Sequence, residues 1–327
     1  MVAGRGGRES GGRRLQLTAA ALGMVMIAPV QYSWTLFAER LSIEQGWSLA
    51  AVQVGFTVFV VFQAFTQPVS GGFIDRMGPR VPYAVGAVLV GAGWAAMGLV
   101  DALALLYIAY AAAGAGAGIA YAGSVGTALR WYPDRRGLAV GLVTAGFGAG
   151  AAPFIPGLDA LVGARGTTTG FVASGVVMGV VLLACAAVLR HPPRPEAAPA
   201  DAQAGSPAPP AAATAASAAP AGGGVRPRQY SAPEMVRTRR FWLVFFMYLS
   251  MATGGLLVTA NLKPFATSLG IASGVVVTAL AAAQVPNGLS RIVWGWVSDR
   301  LGRLPTMAVA FGTNGVLLAL LPAFGDV

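Results

Sequence analysis

Charge is scarce in this 327-residue sequence. Only 10% of its residues are Asp, Glu, Lys or Arg, against about 25% in an ordinary soluble domain. That deficit excludes a soluble globular protein of the usual kind, and 56% hydrophobic residues exclude a chain that is disordered throughout. With one cysteine, Cys185, no disulfide framework is possible. With one histidine, His191, no Cys/His metal cluster is either. Neither a metal nor a cofactor is expected. The sequence contains no G-x-S-x-G, HExxH, P-loop or GxGxxG, and a lone histidine supports little acid–base chemistry, so no enzymatic activity is expected. Lysine is nearly missing too, with Lys263 alone among 22 basic residues that face 12 acids, for a net charge of +10. In a soluble chain that balance points to nucleic acid. Here the bases lie between apolar blocks and read as topology signals, so no nucleic-acid partner is expected.

What is present is a series of nine apolar blocks: Leu15–Phe37, Leu49–Ser70, Val81–Val100, Leu103–Leu129, Gly137–Leu161, Thr169–Leu189, Phe241–Leu262, Ser273–Val297 and Pro305–Phe324. A helix needs roughly 20 apolar residues to cross about 30 Å of hydrocarbon. Inside hydrocarbon every backbone amide must be bonded within its own segment. The expected class is therefore an all-α polytopic membrane protein in contact with the lipid bilayer. Two glycine pairs, Gly114/Gly118 and Gly146/Gly150, have GxxxG spacing and suit close helix approach. The first block exceeds the roughly 7–15 apolar residues of a signal peptide and reads as a retained helix.

Eighteen of the 22 basic residues fall at the N-terminus or in the turns after the second, fourth, sixth and eighth blocks. Three (Arg40, Arg165 and Lys263) fall on the opposite side, and Arg291 falls within a block. This asymmetry predicts a cytoplasmic N-terminus in a cell (plasma or inner) membrane. Between Arg190 and Arg240 the hydrophobic pattern stops, and the middle reads PAPPAAATAASAAPAGGG. Such a composition predicts a disordered cytoplasmic tether. It separates residues 1–189, holding six blocks, from 241–327, holding three.

One turn recurs. Gly72-Phe-Ile-Asp75-Arg76-Met-Gly78-Pro-Arg80 follows the second block, and Gly295-Trp-Val-Ser-Asp299-Arg300-Leu-Gly302-Arg303 follows the eighth. Both carry Asp-Arg-x-Gly, with glycine before it and arginine after, which indicates two homologous halves of the kind found in secondary transporters. The turn resembles the loop signature of the major facilitator superfamily. Within that family the sequence is similar to the oxalate/formate antiporter group and, more distantly, to monocarboxylate transporters. This likeness rests on Gln31-Tyr32-Ser33-Trp34, Trp131-Tyr132-Pro133-Asp134-Arg135-Arg136-Gly137, Ala145-Gly146-Phe147-Gly148-Ala149-Gly150 and Asn287-Gly288-Leu289-Ser290-Arg291. The resemblance implies the major facilitator fold of twelve helices in two six-helix halves. This sequence carries the first half and three helices of the second. The helices expected to be missing include the one that bears a second cation, a lysine, in the antiporter resemblance. The competing expectation is a truncated product without transport activity.

In the turns, Asp75 and Asp299 are expected to bond a helix N-terminus or an arginine on a neighbouring helix. Arg76, Arg80, Arg300 and Arg303 are expected to pair with carboxylates or lipid phosphates, and Gly72, Gly78, Gly295 and Gly302 to allow tight turns. Together they would latch one side of a carrier shut. Glu39, Glu44, Asp101 and Asp159 are assigned to outside loops, and Asp75, Asp134 and Asp299 to inside ones. That leaves Arg291 as the ionisable side chain inside a block. Its insertion costs about 2.5–3.5 kcal/mol even on the lenient scale, and a guanidinium fork matches a carboxylate. The alternative is snorkelling, since Asp299 is only eight residues, or about 12 Å of helix, away. The resemblance favours a substrate-binding arginine and implies that Gln31, Tyr32 and Tyr121 line the same anion pocket. For the aromatic residues, Trp34 above all, an interfacial belt is the competing reading. The expected function is secondary active transport of a small carboxylate anion by alternating access, through exchange, by a monomer.

Overall fold

The structure is a computed structural model that describes residues 3–192, 232–268 and 270–320. Every element among them is an α-helix. In chain order these are α1 (Ala3–Tyr32), α2 (Trp34–Gln45), α3 (Leu49–Met77), α4 (Arg80–Ala96), α5 (Leu103–Trp131), α6 (Arg136–Ala149), α7 (Phe154–Arg165), α8 (Thr167–Val188), α9 (Ala232–Val236), α10 (Arg239–Ser268), α11 (Ser273–Leu301) and α12 (Arg303–Leu320). Residues 1–191 and 251–327 form one unit, and 192–250 another. The greater part of the expected tether, 193–231, lies outside the described residues. Its end forms α9 and the start of α10, where Trp242 Nε1 donates to the carbonyl of Val236 at 2.8 Å.

Among the described residues, five helical stretches are long and apolar enough to cross a membrane: Gly12–Gln45, Leu49–Met77, Leu103–Trp131, Arg136–Arg165 and Thr167–Val188. The other four blocks also carry helices, α4, α10, α11 and α12. Of these, α4 has 17 residues. Apolar side chains cover the outside of the first unit, with Phe65 73% and Ile108 66% exposed. That is the reverse of a soluble surface and suits a lipid-facing one.

Two apolar blocks are broken where the sequence reads as continuous. The first divides at Ser33, four residues after Pro29, and the Tyr110 hydroxyl donates to the Val30 carbonyl at 2.9 Å beside the break. The fifth divides between Ala149 and Phe154, ahead of which stands Pro153. The helical extensions beyond both breaks correct the assignment of three acids to loops. Glu39 and Glu44 lie in α2, and Asp159 lies in α7, where it pairs with Arg40 at 3.3 Å. Trp34 is not a belt residue either. It is fully buried, bonds Gln53 on α3 at 2.9 Å and packs on Tyr110 at 4.7 Å between centroids.

In the first unit α3 and α4 pack on α5, α4 packs on α8, α1 on α5 and α6, and α6 on α11. All four GxxxG glycines lie at such contacts. Gly114 and Gly118 meet the backbone of Phe59 and Gln63 on α3, and Gly146 and Gly150 meet Ala21 and Val25 on α1. Glycines also bring α6 and α11 into close contact. A Cβ on Gly141 would stand 2.6 Å from the Arg291 carbonyl, and one on Gly148 would stand 2.8 Å from Gly288 Cα.

Candidate functional site

Two places on the α6–α11 seam gather the chemistry. The inner one centres on Phe147 of α6. Its ring lies 5.4 Å from that of Tyr32 on α1 and 5.5 Å, edge to face, from that of Tyr121 on α5. The guanidinium carbon of Arg291 on α11 lies 5.7 Å from the same ring centroid, within the roughly 6 Å over which a cation–π attraction operates. Asn287, one helical turn before Arg291, points its Nδ2 at the Tyr32 hydroxyl and at the Gly148 carbonyl, each at 3.3 Å. Arg291 is partly buried, and among the described residues no carboxylate pairs with it. The structure thus brings together Arg291, Tyr32 and Tyr121. Gln31 is buried on α1, but no described hydrogen bond joins it to this group. Phe147 and Asn287 are the additions: both stand in runs that carry the family likeness, and helix packing places them beside Arg291 and Tyr32.

The outer place is the repeated turn. Both aspartates sit in the last turn of their helices, not in loops. That is the negative end of the helix dipole, where a carboxylate needs an outside partner. Asp299 finds it at the start of α6. Its Oδ1 accepts from the Gly137 amide at 2.9 Å and its Oδ2 from the Leu138 amide at 2.8 Å. The residue preceding α6 is Arg135, which has no side-chain oxygen to cap those amides, so Asp299 supplies the cap across the seam. Asp75 instead pairs with Arg130 on α5. Arg130 also contacts His191 Nδ1 at 3.1 Å, and His191 Nε2 lies 3.1 Å from the Ile74 carbonyl. Asp75 and His191 lie 55 and 61 residues from Arg130 along the chain, so neither pairing is visible as a motif.

The remaining turn residues divide. Gly78 and Gly302 share one backbone geometry, φ +83° and +87°, and their amides bond the carbonyls of Ile74 at 3.0 Å and Ser298 at 3.2 Å. This is where glycine is required. Counted back from the aspartates, Gly295 matches Gly71 and not Gly72, each four residues earlier. Gly295 packs on the Gly137 backbone, whereas Gly71 and Gly72 face open space. Two of the arginines have other contacts in the structure. Arg80 Nε donates to the Leu189 carbonyl at 3.2 Å, satisfying the end of α8. Arg300 stacks on Trp296 of its own helix at 3.9 Å. Arg76 is exposed, and Arg303 lines a cavity with Arg136 and Arg291.

A third contact was missed altogether. Arg13 of α1 bonds Asp134 at 2.6 Å and covers the Tyr132 ring at 4.5 Å, tying the first helix to the α5–α6 turn. The Asp134 carboxyl is held below its ordinary value, first by its own backbone amide and then by the Arg13 guanidinium.

The duplicated turn, the glycine seam and the apolar exterior agree with one family, whose profile, the Major Facilitator Superfamily, matches residues 17–327. The chain belongs to the Major Facilitator Superfamily. It is 41% identical to the oxalate:formate antiporter of Oxalobacter formigenes over 97% of its own length and 71% of the antiporter's. It is 23% identical to the uncharacterized MFS-type transporter YhjX of Escherichia coli, over 90% of this chain and 66% of that protein. It is 29% identical to mouse monocarboxylate transporter 11, over 80% and 55% respectively. This major facilitator chain is accordingly a multi-pass membrane protein of a transporter family.

Proposed function

We propose that the protein is a secondary carrier of small mono- or dicarboxylate anions, exchanging them by alternating access between its two halves. All nine blocks would span a cell membrane, with the N-terminus cytoplasmic. The halves, 1–189 and 241–327, would be joined by the tether at 190–240, and the working unit would be a monomer. The observation that carries the cargo class is Arg291, a partly buried guanidinium without an acid partner among the described residues, flanked by the Tyr32 hydroxyl, Asn287 and the Tyr121 ring. A cation so placed favours an anion, and its planar fork favours a carboxylate. The identity to an oxalate:formate antiporter supports the same class. The Asp299 cap on α6 supports alternation, because it is a charged tie between the two halves at the turn end of the seam, away from Arg291.

The test is uptake of labelled oxalate, formate and lactate into proteoliposomes loaded with unlabelled anion, for the parent and Arg291→Gln. Loss of a charge-assisted hydrogen bond of about 1.5–3 kcal/mol predicts uptake reduced roughly ten- to hundredfold. No carboxylate flux in the parent would overturn the cargo class, and equal flux in the variant would remove Arg291 from the site.

A further inference from the structure

Beyond Arg291 the seam opens into a cavity of about 350 Å³, lined among others by Arg136, Thr144, Arg291, Ser298, Asp299 and Arg303. Three guanidinium groups share it with a single lining carboxylate. Both oxygens of that carboxylate already accept from the α6 amides, so two positive charges of the cavity are uncompensated from within its walls. Helix direction sharpens this. Arg136 is the first residue of α6 and Arg303 the first of α12, so each cation stands at the positive end of a helix dipole, which opposes it. A topology signal requires basic residues in a turn; it does not require two of them to face one cavity with a third from the site. Asp299 lies eight residues along α11 from Arg291, about 12 Å, so the cavity runs from the inner site to the mouth of the turn.

We infer that Arg136 and Arg303 form a second, shallower binding station for small carboxylate anions, through which cargo passes between Arg291 and the side of the membrane that bears the turn. This deepens the carrier reading above and rests on it for its cargo. The anion would be held there by guanidinium forks, while Asp299 keeps the α6 amides occupied.

The station is read without transport by placing a reporter thiol at Ser298 (Ser298→Cys in a Cys185→Ala background). Its reaction with an anionic methanethiosulfonate is followed in phosphatidylcholine vesicles, with oxalate as the probe. Oxalate at ten times its half-protecting concentration is expected to slow the reaction about tenfold. The half-protecting concentration should rise far more in Arg136→Gln/Arg303→Gln than in Arg291→Gln. If the glutamine pair does not reach the membrane, Arg136→Lys/Arg303→Lys decides. That pair keeps the topology charge and loses the fork, so its half-protecting concentration should rise about threefold or more. Four results would each overturn the station: no protection in the parent background, protection unchanged in the glutamine pair, a half-protecting concentration raised as much by Arg291→Gln as by the glutamine pair, or an unchanged half-protecting concentration in the lysine pair. Protection by phosphatidylglycerol without oxalate would also overturn it, assigning the cavity to a lipid headgroup. Absent flux with protection intact would sink the carrier reading and leave the station. Flux with no protection would do the reverse.

Discussion

Asp299→Asn should loosen one end of the seam by an amount that the structure lets us work out. The carboxylate takes two amide hydrogen bonds, 2.9 and 2.8 Å, at the start of a helix whose own preceding residue cannot cap it. Removing such a cap costs about 0.5–2 kcal/mol. Asparagine keeps one acceptor oxygen but loses the charge that the helix N-terminus favours, and the site is exposed, so about 1–2 kcal/mol is the working figure. That shifts the ratio of closed to open seam by roughly five- to thirtyfold. The assay places a cysteine at Thr144, buried on α6 within the seam, in a Cys185→Ala background. It measures thiol reaction rates with a membrane-impermeant reagent in vesicles. When reaction tracks the open fraction, Asp299→Asn should raise the rate by that same factor. Asp75→Asn is the control. Its partner Arg130 lies on α5 and not across the α6–α11 seam, so its loss should leave the Thr144→Cys rate nearly unchanged. Equal rates in Asp299→Asn and the parent, or equal acceleration by Asp75→Asn, would refute the reasoning.

Three further outcomes follow from the same geometry. Gly141→Val puts a side chain where a Cβ already comes within 2.6 Å of the Arg291 carbonyl. It should cost about 1–3 kcal/mol by overpacking, seen as a lower melting temperature in detergent, whereas Gly126→Val, with nothing within 4 Å, should not. Phe147→Leu removes the ring shared by Tyr32, Tyr121 and Arg291. With a cation–π contribution of about 0.5–2 kcal/mol, the apparent KM for the transported anion should rise severalfold with normal membrane insertion. The Asp134 carboxyl is held low in the folded protein, so its tie to Arg13 contributes stability above the usual carboxylate range. That contribution is lost as pH falls through the depressed value, and the acid limb of a melting-temperature profile should flatten in Asp134→Asn.

The helices were legible because each apolar block is a long local pattern, and hydrocarbon leaves the backbone no other choice. The breaks at Ser33 and before Pro153 were not. One depends on a hydroxyl 80 residues away, that of Tyr110, and apolar residues continue on both sides of each break. The duplicated Asp-Arg-x-Gly was legible as a repeat, and its glycines share one backbone geometry. The unlike partners of its aspartates were not, because an arginine on α5 and two backbone amides on α6 carry no mark in the sequence that assigns them. Arg291 stood out by charge alone. Phe147 did not, since a phenylalanine in an apolar, glycine-rich run is unremarkable until three other helices converge on it. His191 falls by sequence within the stretch read as tether, and packing sets it against Arg130.

One helix surface links the two ends of the seam. Asn287, Arg291, Gly295 and Asp299 are spaced four residues apart on α11, so they lie on one face over about 18 Å. Glycines at 137, 141 and 148 let α6 follow that face closely. A helix pressed against its neighbour at glycine contacts tilts more readily than it bends, because bending would break its backbone bonds. Freeing Asp299 from the α6 amides therefore has to move Arg291 relative to Phe147. The two positions should be energetically coupled, although neither touches the other. In a double-mutant cycle on the apparent affinity for oxalate, Asp299→Asn and Phe147→Leu should depart from additivity by about 1 kcal/mol, roughly fivefold, within the usual range for linked sites. Additivity to within about 0.3 kcal/mol, the behaviour of independent sites, would mean that α11 does not move as a unit. The closure of the turn and the binding of cargo would then be separate events.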